Sequence, residues 1–171
     1  PTADGGVVIV GFVSTAFTID GIAPLQPYSG GSDSAIYRVG PDGTLSWFTY
    51  FGSAANDPPV DRKRVPDEVL GSGQSAERDR FVLVGTAQGD VPTYAGLTPV
   101  RSYAGGSDAF ALEFDSSGNF LEYSFYGTGG NESPSSVQPM RSGARYISMS
   151  ADADIPAFAG LAPLDAYVGM S

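Results

Sequence analysis

Histidine and cysteine are both absent from this 171-residue chain. Without cysteine there is no disulfide framework and no thiolate metal site. Without histidine the chain lacks imidazole acid–base chemistry, Ser-His triads and most zinc sites. Basic residues are scarce: Lys63 is the single lysine, and 9 basic residues face 19 acidic ones for a formal charge of −10. Binding to a phosphate backbone needs Lys and Arg to release counterions, so nucleic acid is excluded as a partner, and an anionic membrane surface with it. Long apolar runs are missing too. The longest, Val7–Val10, stops at Gly11, far short of the roughly 20 residues of a spanning helix. The chain opens on Pro1, which we read as a sign of processing or of a larger parent.

What the chain has is turns and repetition. Glycine (23) and proline (13) are frequent, yet together stay below the roughly 25–30% of low-complexity disorder. Apolar residues make up 42%, enough for a core. Residues 21–52 (GIAPLQPYSGGSDSAIYRVGPDGTLSWFTYFG) align without a gap to residues 96–127 (GLTPVRSYAGGSDAFALEFDSSGNFLEYSFYG), with 9 identities in 32. A third copy, GLAPLDAYVGMS, begins at 160. A short apolar run precedes each copy: VVIVG at 7–11, FVLVG at 81–85 and YISMS at 146–150. Self-similarity of this length means a propeller, a solenoid or an array.

Each repeat reads as strands. Val7–Val13 is a continuous apolar run, the pattern of a strand buried on both faces. In the next strand Ala35, Tyr37 and Val39 alternate with Ser34, Ile36 and Arg38, and the second copy keeps that phase with Phe110, Leu112 and Phe114. Period-2 alternation predicts a half-buried strand. The turns Gly40-Pro41-Asp42-Gly43 and Asp115-Ser116-Ser117-Gly118-Asn119 lead to aromatic-rich partner strands, so Asp33–Val39 and Leu45–Phe51 are expected to form an antiparallel hairpin. No segment predicts a helix. Residues 53–80 concentrate charge and read as an insertion longer than the matching linker at 128–145; such loops connect, and some carry function.

The order and recurrence of these segments resemble the bacterial β-propeller repeat known as SBBP. The second copy carries the resemblance best, in Phe81–Gly85, Asp90-Val91-Pro92, Gly105-Gly106-Ser107-Asp108-Ala109-Phe110, Asp115-Ser116-Ser117-Gly118-Asn119 and Tyr123–Gly127. The first copy has Thr15 and Phe17 in place of the Asp and Pro, and the third has Met170 in place of the second Gly. The resemblance implies four-stranded antiparallel blades, a setting outside the cell or at the bacterial cell surface, and no catalytic residues.

The expectation is therefore an all-β repeat domain over residues 1–171, of β-propeller type, with repeats at about 5–60, 80–135 and 145–171. Two and a half repeats fall short of the roughly four to eight blades of a propeller. Copies are then expected to complete one another through unpaired strand edges, or the chain to be part of a larger propeller. The expected role is non-catalytic, structural or adhesive, in a surface appendage or filament; the alternative is a module binding a glycan or a surface protein.

Candidate ligand residues each carry a plainer reading. Asp33 and Asp108 follow Gly-Gly-Ser in both copies; they suit Ca²⁺, which takes carboxylate and carbonyl oxygens, or they cap a turn through the backbone. Asp90 and Asp154, each before x-Pro, have the same two readings. No other cofactor is indicated. Trp47 and Tyr50 suit sugar stacking, or core packing between sheets. Asn131-Glu132-Ser133 is a formal glycosylation acceptor. Asp152 and Asp154, with Asp20 and Asp57, could pair as glycosidase acids, which stand at set separations; the sequence does not place them together, and the plainer reading is solvated surface positions. Gly71–Ala76 lacks the strand and helix of a dinucleotide fingerprint.

Overall fold

The computed structural model describes residues 2–64, 80–94, 96–139 and 145–154. Within them the protein is all β, with no helix. β1 (Val7–Val13), β2 (Asp33–Val39) and β3 (Leu45–Phe51) form sheet 1 in that order. β4 (Pro59–Arg64), β5 (Arg80–Ala87), β6 (Asp108–Asp115) and β7 (Phe120–Tyr126) form sheet 2. β8 (Glu132–Pro139) and β9 (Arg145–Ala151) form sheet 3. Every neighbouring pair is antiparallel. The hairpin expected at 33–51 has the bounds read from the sequence, because Gly43 and Asp42 close its turn: the Gly43 amide donates to Gly40 O, and the Asp42 carboxylate accepts from the Thr44 amide.

The sheets pack face on face. Val8, Ile36, Trp47 and Phe51 of sheet 1 share one core with Phe81, Leu83, Phe110 and Leu112 of sheet 2. The opposite face of sheet 2, Val82, Val84 and Ala111, packs against Val137 and Ile147 of sheet 3. Sheet 2 is thus covered on both sides, and β6 is buried along nearly its whole length, where alternation alone predicts a half-buried strand. Each large apolar side chain buried this way stabilises by roughly 1.5–3 kcal/mol. Phe51 sits at the joint, with its ring 4.9 Å from Phe110 and 5.3 Å from Tyr94.

Three expectations need correcting. β1 is not buried on both faces: Val8 is fully buried, but Val7 and Ile9 on the other face are 37% and 47% exposed, and Phe12, on the face of Val8, is exposed as well. The charged linker at 53–80 opens with a strand, β4, that pairs with β5; residues 65–79, including Gly71–Ala76, lie outside the described residues. The third apolar run is out of phase by one residue. Ile147 stands opposite Val137 as Leu83 stands opposite Arg62, so residues 145–149, not 146–150, match Phe81–Gly85. A slip of one residue exchanges the faces of a strand. It turns Ile147 toward sheet 2 and leaves Tyr146 68% exposed on the far side.

Charge also ties the sheets. Glu113 and Glu122 are cross-strand neighbours, a repulsive arrangement by itself. Arg145 from sheet 3 reaches both, bonding Glu122 at 3.0 Å and contacting Glu113, while Arg80 holds Glu113 at 3.0 Å.

The Gly-Gly-Ser-Asp turn links each sheet to the segment that leaves it. The Ser32 amide donates to Ala55 O and the Asp57 amide donates to Ser32 O; Ser107, Gly130 and Glu132 repeat the arrangement. The outgoing segment lies so close that a Cβ on Gly31 would stand 1.6 Å from Ala55 O, and one on Gly106 would stand 1.7 Å from Gly130 O. Both glycines also have positive φ, 59° and 64°, which side chains disfavour. Gly106→Ala is therefore expected to destabilise by at least ~2 kcal/mol, lowering Tm by roughly 4–8 °C. Gly129→Ala, where a Cβ meets nothing within 4 Å, should leave Tm nearly unchanged; thermal melts of the two variants check this.

Candidate functional site

The two turn aspartates begin β2 and β6, and both are fully buried. In each, one carboxylate oxygen caps the turn. Asp33 Oδ2 accepts the Ser29 amide and Asp108 Oδ2 accepts the Ala104 amide, both at 2.7 Å. The tyrosine at the head of each turn completes it: the Tyr28 hydroxyl donates to Gly31 O at 2.7 Å and the Tyr103 hydroxyl to Gly106 O at 2.6 Å. The other oxygen of each aspartate, Oδ1, is buried without a hydrogen-bond partner. The backbone-capping role is therefore present in both copies, with one acceptor left over each time.

A second buried acid stands beside each turn. Asp57 and Glu132 are fully buried, and they lie 75 residues apart, as Asp33 and Asp108 do. Asp57 Oδ2 accepts from the Ser53 amide and hydroxyl at 2.6 and 2.8 Å, and its Oδ1 accepts from the Gln88 amide at 3.1 Å. Glu132 accepts from the Thr128 amide and hydroxyl, both at 2.8 Å. Asp57 was expected at the surface; its burial follows from these bonds, which fold the link between sheets around the carboxylate. The repeat alignment stops at residues 52 and 127, and an Asp matched to a Glu does not register as an identity, so the paired acids were missed. Extending the same offset by five residues finds them.

Burial dominates the electrostatics of these pairs. It pushes the Asp33 carboxyl up to about 6, against its bond from Ser29 and with help from the charge on Asp57. Burial likewise raises Asp57. It raises Asp108 as well, where the Glu132 charge adds to it. Tyr94, whose hydroxyl donates to Gly52 O at 2.7 Å between the sheets, is pushed up to about 12 by the same cause.

The other candidates are placed as follows. Trp47 is 8% exposed, and its indole N–H donates to Ser116 O at 2.9 Å. It packs against the turn at Gly118, where a Cβ would come within 3.0 Å of the indole. Tyr50 is fully buried, edge-on to Phe17, Tyr28 and Phe48. Neither ring presents a face on which a sugar could stack. Asn131 is exposed, but its side-chain amide donates to Asp152 Oδ2 at 2.9 Å and its backbone amide to Asp152 Oδ1 at 2.7 Å. Those bonds hold the Asp152 carboxyl below its usual range. Asp20, Asp90 and Asp154 are exposed. Residues 155–171, with Met170 and the rest of the third copy, lie outside the described residues. An open depression between β1 and β4 is lined by Val10, Val60, Asp61 and Leu83. Among the described residues no group of three or more His, Cys, Asp or Glu side chains is placed to hold a metal ion, and no helix is long and apolar enough to cross a membrane.

Neither a scan against protein-family models nor a search of curated proteins finds a match to this chain.

The raised Asp33 carboxyl has a definite sign. The folded protein holds a proton that the unfolded chain releases near 3.8, so the contribution of Asp33 to stability falls as pH rises from about 4 to 6. In chelator, the Tm of Asp33→Asn minus that of the wild type should therefore grow across this window and level off above it. A flat difference would contradict the assignment.

Proposed function

We propose that this protein is a non-catalytic structural repeat protein that assembles by adding further sheets to its stack, as blades of β-propeller type do. The observation that carries this reading is the inequality between equivalent positions in sheets 1 and 2. The Cα partners place Val7 opposite Val39 and Ile9 opposite Tyr37, as Phe81 lies opposite Phe114 and Leu83 opposite Leu112. Phe81 and Leu83 are buried by sheet 1, whereas Val7 and Ile9 are open. The Val7–Ile9 end of that face of sheet 1 is thus open, while Phe48 and Tyr50 further across it lie buried beneath Phe17 and Tyr28.

The edge of that sheet supports the same reading. In sheet 2, β5 pairs on one side with β4; in sheet 1, β1 has β2 on one side and, among the described residues, no strand on the other. An open edge is a template for another strand. The occupant is a β4-type strand with the sheet behind it, from a second copy or from other blades of the same propeller. Head-to-tail addition gives a ring if it closes and a filament if it does not. The resemblance of the repeats supports a place on the surface of a bacterial cell or outside it, in an appendage or an adhesive layer.

Ile9→Lys and Val7→Lys test the reading, because both side chains are already solvent-accessible. Each is expected to change stability by no more than about 0.5 kcal/mol and to abolish concentration-dependent association. Sedimentation velocity across a wide concentration range measures it. A wild-type chain that stays monomeric throughout would refute completion by a second copy and leave the other blades of the same propeller as the occupant; association unaffected by both lysines would refute the proposed face.

A further inference from the structure

We propose that Asp108 and Glu132 together hold a divalent cation of the oxygen-preferring kind, calcium above all, where sheet 2 hands over to sheet 3. This inference stands apart from the assembly reading. Three observations carry it.

The carboxylates converge. A Cβ built on Gly127 would stand 2.4 Å from Asp108 Oδ1 and 2.7 Å from Glu132 Oε2. Both oxygens therefore lie against the one spot that a side chain on Gly127 would fill, which leaves the two carboxylates close neighbours.

An acceptor is unused. Asp108 is fully buried and its Oδ1 has no hydrogen-bond partner, although buried acceptors are nearly always satisfied. Glu132 accepts from the Thr128 amide and hydroxyl, which leaves each of its oxygens a further lone pair.

Among the described residues no cationic side chain is ion-paired with either acid. The ion pairs among the described residues use Asp4, Glu113 and Glu122. Two carboxylates buried side by side repel each other unless a cation or a proton lies between them. Calcium accepts backbone carbonyls and water beside carboxylates and tolerates irregular geometry, so two acids without a third are enough to anchor it. Zinc, copper and nickel favour imidazole or thiolate, and the chain has neither.

The test uses the full chain, stripped with EDTA, dialysed and titrated with calcium chloride by calorimetry and by thermal melting. Once free calcium exceeds Kd about a hundredfold, Tm should rise by roughly 5–10 °C. Asp108→Asn and Glu132→Gln keep the shape of each side chain and should each weaken calcium binding by about tenfold or more. If either variant fails to fold, the other and the wild-type calcium shift still decide the matter. No heat of binding and one Tm in EDTA and calcium would overturn the proposal. So would calcium binding that survives both substitutions.

Discussion

The close approach of one carbonyl oxygen to one glycine organises this molecule. Gly31 under Ala55 O, and Gly106 under Gly130 O, bring the entrance of a hairpin against the segment that leaves the same sheet. The approach fixes where that segment goes next, and so where the following sheet stands. Reciprocal backbone bonds between Ser32 and Ala55–Asp57, and between Ser107 and Gly130–Glu132, hold it there. The aromatic core between the sheets forms on that geometry. Phe51 meets Phe110 and Tyr94, and the Tyr94 hydroxyl both donates to Gly52 O and accepts from the Gly52 amide. Packing energy then supplies the stability, while the turn sets the spacing at which packing is possible.

Burying acids at the same joint is a second consequence. The turn aspartate caps the backbone from inside, and the first acid after the outgoing segment caps it from the other side. Four carboxylates are thereby drawn out of water in two pairs, each bonded to backbone amides. Such groups define the path of the chain by geometry that apolar residues could not impose. Their proximity makes the joint sensitive to whatever neutralises it.

Much of this was legible in the sequence. A continuous apolar run marked β1, period-2 alternation marked β2, the turn and the aromatic-rich segment after it marked β3, and repetition showed the second hairpin from the first. Of the aromatic residues of β3, Trp47 packs between sheets as expected, whereas Tyr50 is buried against Phe17 and Tyr28 of the segment that covers its own sheet. What failed did so for physical reasons. β4 and β8 carry Pro and many polar residues, with little apolar signal; β8 is nonetheless anchored by the buried Glu132 and Val137. β9 was misread by one residue because Tyr146-Ile147-Ser148-Met149 alternates in either phase; only its register against β8 settles which face is inside. The second acid of each pair was hidden by the exchange of Asp57 for Glu132. The open face of β1 was invisible because an apolar run does not say which side of it is covered.

Native-state hydrogen exchange at the joint amides tests the central claim most directly. If the turn and the outgoing segment form one rigid unit, the amides of Ser32, Asp57, Ser107 and Glu132 exchange only when the whole protein unfolds, as slowly as those of Val82 and Val84 in the covered strand β5. Exchange of the joint amides on the timescale of an open loop, with β5 still protected, would mean that the sheets are held by side-chain packing alone, and the account would be wrong.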